Sequence, residues 1–301
     1  MNKIKKHFKK SILIVLWLLY IFSEPLEAKE KILKIGAIPD QNQEILDKRF
    51  NLLSEELSKQ LDIKIKYVPV VNYIAAVTAF RTKDLDLVWF GGLSGVQARL
   101  QTPNSIVLAQ RDIDKEFKSV FITNKKLSIK RTNNINDLKL LTKYRFTFGS
   151  ENSTSGRLMP QYFLNIAGVE LTDFKGQTVG FSGSHDATIA LVNSGAYDVG
   201  VLNKQVWDRN MKKNPTRVKS ATVFFITPSY VDYHWLAQGN LDDKFRNGFT
   251  KELREVILNL NSKIKDQKLI LEMFNAKKFI KANYEDYKEI EFIARKLKKI
   301  R

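Results

Sequence analysis

Apolar and polar positions follow two alternating periods along the chain. Residues 33–39 (LKIGAIP) have strand character, and over 43–61 the residues Ile45, Phe50, Leu52, Leu53, Leu57 and Leu61 form a roughly helical apolar stripe. Residues 63–70 alternate as a strand, Asn72 caps a short helix carrying Tyr73, Ala76, Val77 and Phe80, and 85–90 (LDLVWF) reads as a buried strand. Gly91, Gly92, Leu93, Ser94 and Gly95 then turn the chain into a helix over 96–100. This β-α-β-α-β-α rhythm with short connections predicts a parallel sheet flanked by helices. Its ligand face belongs at the carboxyl ends of the strands, where Asp40, Asn72 and residues 90–94 fall.

The same logic repeats further on. Strands are expected at 119–123 (SVFIT), 177–181, 197–202 and 221–226 (ATVFFI), with a capped helical turn at 136–141. Helices are expected at 159–166, ended by Gly168, and at 185–193, stopped by Gly195. From Asp242 onward the pattern is helical, over 245–260, 263–274 and 286–299, each with an apolar stripe and a charged face. Those stripes need cover, and the most economical place is back on the first unit. The second unit is therefore an insertion joined by two crossing strands, near 118–123 and 223–227, and two crossings make a hinge.

Residues 148–160 (FGSENSTSGRLMP) read as a short strand, a Ser/Thr/Gly turn and the first turn of a helix. Ser153, Thr154 and Ser155 offer three hydroxyl donors beside backbone N–H groups that no helical carbonyl can satisfy, where the positive end of the helix dipole adds to them. Gly156 removes side-chain bulk where a ligand would approach, and Pro160 donates no N–H to a ladder that does not yet need one. An ordinary Ser/Thr cap without a ligand is the alternative reading of this stretch alone.

Composition narrows the class. The 301 residues are 44% hydrophobic, enough for one large core or two ordinary ones, and the two units favour two. Residues 1–28 combine a basic start, a run of twelve apolar residues and EPLEA ending at Ala28, the pattern of a secretory signal peptide; an uncleaved anchor is the alternative. Cysteine is absent, which excludes a lipoprotein anchor, a disulfide scaffold, a thiolate metal site and a cysteine nucleophile. An exported chain without disulfides fits a bacterial periplasm. The net charge of +18 falls to about +15 once the signal's five Lys and two Glu are removed. The Lys residues are scattered, densest at 277–299, with no aromatic interleaving, so a solvated basic surface is expected and nucleic acid is not.

Taken together, WFGGLSGVQAR (89–99), FGSENSTSGRLMP (148–160), SGSHDATIALVNSGAYDVGVLN (182–203) and TPSYVDYHW (227–235) resemble the phosphonate and phosphite substrate-binding proteins of bacterial ABC importers, in the right order over nearly all of the chain after residue 28. The resemblance implies an α/β, two-lobed periplasmic-binding fold of type II, each lobe a mixed sheet flanked by helices, joined by two crossing strands. Lobe 1 comprises 29–118 and 228–301 and lobe 2 comprises 119–227. It implies closure on a small oxyanion and delivery to an inner-membrane ABC permease, with no cofactor, metal or catalytic residue and a monomeric state. In that family the oxyanion sits on the run that is here Ser153, Thr154 and Ser155, with a histidine that is here His185, an aromatic residue that is here Tyr73, and an acidic residue that is here Asp232. Phe90 stands where some relatives carry a tyrosine, and belongs to the expected ligand contacts.

Where aminoalkyl-phosphonate binders place a carboxylate for the ligand's amine, this chain has Asn203, Lys204 and Gln205, and Phe117 and Lys118 stand where relatives often carry tyrosine. The non-oxyanion end of the ligand and its central atom, phosphorus or selenium, are left open. A hydrolase using His185 and Asp186 with Ser153 or Ser155 is disfavoured, because adjacent residues at a helix start point about 100° apart. An extracellular sensor module lacks a second membrane segment and a signalling domain. Ferric binding would need clustered Tyr with Asp or His, hinted at only by Tyr230, Tyr233 and His234.

Overall fold

The computed structural model describes residues 31–300, and the expected signal at 1–28 lies outside them. The described strands are β1 (Ile32–Ala37), β2 (Lys64–Tyr67), β3 (Leu87–Phe90), β4 (Ile106–Arg111), β5 (Ser119–Asn124), β6 (Phe146–Phe148), β7 (Gly180–Phe181), β8 (Val199–Asn203), β9 (Ala221–Ile226), β10 (His234–Ala237) and β11 (Phe279–Lys281). They form two sheets, in the orders β11-β4-β10-β3-β1-β2 and β7-β6-β8-β5-β9. The chain enters the second sheet after β4 and returns to the first at β10, so the first sheet is discontinuous in sequence.

β1 pairs in parallel with β2 and β3, as the alternating pattern predicts. Beyond β3 the purely parallel expectation is corrected, because β10 runs antiparallel to β3 and to β4, and β11 antiparallel to β4. Both sheets are therefore mixed. Strands β4 and β10 are wholly or almost wholly buried, and a short continuous apolar run carries no period by which to recognise it. The strand expected over 177–181 shrinks to Gly180–Phe181, since Gln177 adopts φ +55°, a left-handed value outside the strand region. The helix expected over 245–260 shortens to Phe249–Leu258 after the left-handed Gly248, and a separate helical turn, Leu241–Lys244, precedes it.

The first sheet is sealed by the helices Gln43–Leu61 and Lys265–Phe274. Phe50 lies 5.5 Å edge-on from Phe274 and 6.0 Å from Trp235, whose ring lies 5.1 Å from Trp89. In the second sheet β5 is buried at all six positions. Its Val120 and Ile122 face a cluster with Ile189, Val192 and Leu202, while Phe121 joins Phe146 and Phe225 on the other face. β5 and β9 lie side by side and antiparallel, extended by the Phe117–Tyr230 bridge. The two chain crossings between the sheets are thus one paired ribbon. No described helix is long and apolar enough to cross a membrane.

Candidate anion-binding site

After β6 the chain forms a wide π turn, Thr154–Leu158, that runs directly into the helix Met159–Ile166. Ser153 caps it, its Oγ accepting from the Gly156 N–H at 2.9 Å. Gly156 is needed for a reason other than ligand approach. A Cβ there would meet the Ser153 Oγ at 3.0 Å and the Gly149 Cα at 3.2 Å, and Gly149 donates to the Gly156 carbonyl at 2.9 Å. The turn is closed upon itself by two backbones in contact, with Thr154 and Ser155 both buried. Thr154 Oγ1 accepts from Leu93 N–H at 2.9 Å, leaving its own proton to give. The Ser155 Oγ is buried and neighbours the Tyr230 hydroxyl without a well-directed bond. Its carbonyl is held by a relay, Tyr230 O–H to Ser119 Oγ at 2.5 Å and Ser119 to Ser155 O at 2.7 Å.

Asp232 arrives from the first sheet's side of the chain and is 1% exposed. Its Oδ1 accepts from the Gly92 N–H at 2.9 Å, while Oδ2 has no partner. A Cβ on Gly91 would lie 3.2 Å from both Asp232 Oδ1 and Thr154 Oγ1, so glycine at this position lets the two side chains meet. Burial pushes the Asp232 carboxyl up to about 7, against the pull of the Gly92 N–H and the Thr154 hydroxyl. Tyr73 opens the helix Tyr73–Arg81, which Asn72 caps by accepting from Ala75 N–H at 2.8 Å. Its buried hydroxyl neighbours Ser153 without a well-directed bond, and burial, followed by the charge of Asp40, keeps its proton on. Three orphaned polar atoms, on Tyr73, Ser155 and Asp232, thus belong to one neighbourhood. Buried polar groups are ordinarily bonded, so three such atoms in one neighbourhood are free to meet a polar group brought from outside.

His185 is fully buried at the start of the helix His185–Ser194. Its N–H donates to the Asp40 carbonyl at 3.0 Å, tying the second sheet's unit to the first. Its Nδ1 accepts from Asn203 N–H at 3.4 Å, which puts the proton on Nε2, 3.5 Å from the Tyr233 hydroxyl. Burial pushes the imidazole down, so His185 is a neutral donor. Tyr233 in turn donates to Asp40 Oδ2 at 2.7 Å and accepts from Asn203 Nδ2 at 3.4 Å. Its ring stacks on Trp89 at 5.6 Å and under the Arg111 guanidinium at 4.9 Å, which is locked to Asp114.

Of the sequence candidates, Ser153, Thr154, Ser155, Tyr73, Asp232 and His185 are brought to this region, and Phe90 is set apart by its ring. Phe90 is buried edge-on against Phe80 at 5.8 Å in the hydrophobic core, so that only its backbone leads into the Gly91–Gly92 turn. Asp40, Tyr233 and Asn203 were not singled out as ligand contacts. Asp40 follows β1 at the carboxyl edge of the sheet, and that position was the available signal for it. Asp186 turns away from the imidazole, accepting from Asn42 N–H at 2.9 Å and facing Arg217 at 3.9 Å, so the dyad of a hydrolase is not formed. Tyr230, Tyr233 and His234 do not converge as iron ligands: Tyr230 bonds Ser119, Tyr233 bonds Asp40, and His234 lies 4.1 Å from Tyr287 with burial pushing its imidazole down to about 3.

Comparison with known proteins agrees with this architecture. Residues 35–287 match the family described as ABC transporter, phosphonate, periplasmic substrate-binding protein. A probable ABC transporter phosphite-binding protein from Prochlorococcus marinus is 70% identical over 281 residues, covering 93% of this chain and 95% of that protein. The phosphonates-binding periplasmic protein of Escherichia coli is 30% identical over 208 residues, 67% of this chain and 59% of its own length. A solved structure of the Prochlorococcus marinus protein in complex with methylphosphonate superposes with a TM-score of 0.89 at 71% identity, covering 90% of this chain and 99% of that one. The chain belongs to the phosphonate-type periplasmic substrate-binding proteins of ABC transporters.

Proposed function

We propose that this protein captures a small phosphorus oxyanion, phosphite or methylphosphonate, between two lobes and delivers it to its permease. The observation that carries this reading is the set of buried orphan atoms, Tyr73 Oη, Ser155 Oγ and Asp232 Oδ2, around the hydroxyl turn. Two of them are donors and the third belongs to a carboxyl that burial pushes up to about 7. A tetrahedral oxyanion that keeps one P–O–H complements that set, giving its proton to Asp232 or taking one from it. The relative named for phosphite and the relative structure holding methylphosphonate support the same class. The role is capture without turnover, by a monomer exported to the periplasm through the signal at 1–28. Calorimetric titration with phosphite, methylphosphonate, phosphate, selenate and ferric citrate tests it. Tightest binding of phosphite or methylphosphonate is expected, and preference for selenate or ferric citrate overturns the reading.

Within this reading, Thr154→Ala and Ser155→Ala each weaken phosphite binding by about 1–3 kcal/mol with the fold intact. Thr154→Ala has the larger effect, because it also strands the Leu93 N–H. Titration of both variants checks this, and parental affinity in both would reduce the turn to a cap.

The lobes are proposed as 29–118 with 228–301, and 119–227, hinged at the β5–β9 ribbon. The contacts His185 N–H to Asp40 O, Leu93 N–H to Thr154 Oγ1 and Asn42 N–H to Asp186 Oδ2 all cross between them. Ligand shared across that boundary favours the closed arrangement. Small-angle scattering should show compaction on adding saturating phosphite, and superimposable curves would count against the hinge.

A further inference from the structure

The π turn that carries Thr154 and Ser155 is bonded in steps of five residues: the Leu158 N–H donates to the Ser153 carbonyl at 2.9 Å, and the Met159 N–H to the Thr154 carbonyl. The next donor in that series, for the Ser155 carbonyl, would be residue 160. Pro160 has no N–H to give. Because the turn runs without a break into the helix Met159–Ile166, the ladder has already begun when it meets the proline. A buried carbonyl left out of the ladder needs a donor from elsewhere.

That donor is the Ser119 hydroxyl, 2.7 Å away. A carbonyl can only accept, so the Ser119 proton is spent there, and in the 2.5 Å contact between Ser119 Oγ and the Tyr230 hydroxyl the proton belongs to the tyrosine. Burial, followed by the charge of Asp232, keeps that proton on Tyr230. Ser119 is itself a fixed post. Its N–H donates to Thr227 Oγ1 at 2.9 Å, and its carbonyl accepts from the Thr227 N–H at 3.1 Å. Tyr230 is paired with Phe117 by two backbone bonds of 2.8 and 3.0 Å at the end of the crossing ribbon. Ser119 and Ser155 lie in 119–227 and Tyr230 in 228–301, so the relay spans the proposed lobe boundary at the place where the chain crosses it. All three residues are at most 3% exposed, so bulk water does not make good a lost link.

We infer that Tyr230 is a positioning residue for anion capture: through Ser119 it replaces the N–H that Pro160 lacks, and so holds the Ser155 peptide, and the hydroxyls of Thr154 and Ser155 with it, from across the lobe boundary. This rests on the proposed capture of a phosphorus oxyanion at those hydroxyls. Donor alignment is thereby tied to the geometry of the hinge. The competing account is that Tyr230 only packs against Phe117, their ring centres 6.1 Å apart.

The two accounts separate in the loss that Tyr230→Phe causes, measured by calorimetry with phosphite in two backgrounds, the parent and Pro160→Ala. Tyr230→Phe keeps the ring and removes the donor, and should weaken phosphite binding about fivefold in the parent. Pro160→Ala returns a backbone N–H to the ladder position that serves the Ser155 carbonyl, so in that background the same change should cost less than about twofold. A packing role gains nothing from an N–H at residue 160. Parental affinity in Tyr230→Phe overturns the inference, and so does an equal loss in both backgrounds. Ser119→Ala gives a second test that leaves the proline in place. It cuts the same relay, so adding Tyr230→Phe to it should cost less than about twofold more, and additive losses overturn the inference. If the parent itself binds neither phosphite nor methylphosphonate, the proposed function has failed, which is a different result from either.

Discussion

Asp232→Asn should bind phosphite about tenfold more weakly and selenate about a hundredfold more tightly than the parent, reversing or erasing the preference between them. The reason is the proton. Selenate is fully ionised at neutral pH and would meet the Asp232 Oδ2 as a bare acceptor facing a bare acceptor, since His185 is held neutral by burial and brings no charge to offset it. A phosphorus oxyanion that retains or accepts one proton turns the same contact into a short charge-assisted hydrogen bond. The amide introduced by Asp232→Asn has no charge to repel selenate and offers it a donor.

The same proton sets the pH dependence. Burial raises the Asp232 carboxyl from 3.8 to about 7 in the closed arrangement, so closing retains a proton that an open or unfolded chain would release. The closed form is therefore favoured at low pH and loses that advantage as pH rises from about 4 to about 7. With ligand, one proton must be present between Asp232 and the oxyanion. Once pH exceeds both ionisations, affinity should fall about tenfold per unit. Asp232→Asn should flatten that alkaline limb. Competition titrations at pH 6 to 9 measure both effects, and tight selenate binding by the parent, or an alkaline limb unchanged in the variant, would overturn the account.

Much of this site was legible before any coordinates. The Ser153–Ser155 run, and His185 after Gly183 and Ser184, announce themselves by local rules of helix starts, whereas those rules give Tyr73 only a helix after the cap Asn72 and its ligand role came from the family resemblance. Asp232 could be named only through the family resemblance, because no local pattern distinguishes it from Asp242 or Asp286. Asp40 was placed at the ligand face and Asn203 at the ligand's far end, but their convergence with Tyr233 was not foreseen, since it depends on three segments far apart in sequence. Phe90 misled in the opposite sense. Strand alternation assigns it to one of two faces without saying which, and the face it takes is that of Phe80. Gly156 looked like room for a ligand because sequence shows that a side chain is missing without showing that Gly149 fills the space. In the fold, the strands lost to reading were β4, β10 and β11: the burial of β4 and β10 erases the period that reveals β2, and β11 spans only three residues.

Methylphosphonate should bind the parent at least a hundredfold more tightly than 2-aminoethylphosphonate, because Asp232 is taken up by the oxyanion and the ammonium of the second ligand finds no further free carboxylate. Lys204 pairs with Asp208, and the Gln205 N–H is held by the Asn203 side chain, so the start of the helix Lys204–Lys213 offers no acid. The other carboxylate of the region, Asp40, is already engaged. It accepts from Tyr233 at 2.7 Å and lies 3.4–3.5 Å from the Gln41 amide, within the field of Arg49. An ammonium entering there must either stay unpaired in a desolvated chamber or displace the tyrosine. Tyr233→Phe removes that competitor while keeping the ring that stacks on Trp89, so it should bring 2-aminoethylphosphonate about tenfold closer to methylphosphonate. Titration of the two ligands on the parent and on Tyr233→Phe decides the matter. Binding of 2-aminoethylphosphonate by the parent within tenfold of methylphosphonate would mean that Asp40 opens to an amine, and that the network around Tyr233 is a gate the ligand itself can break.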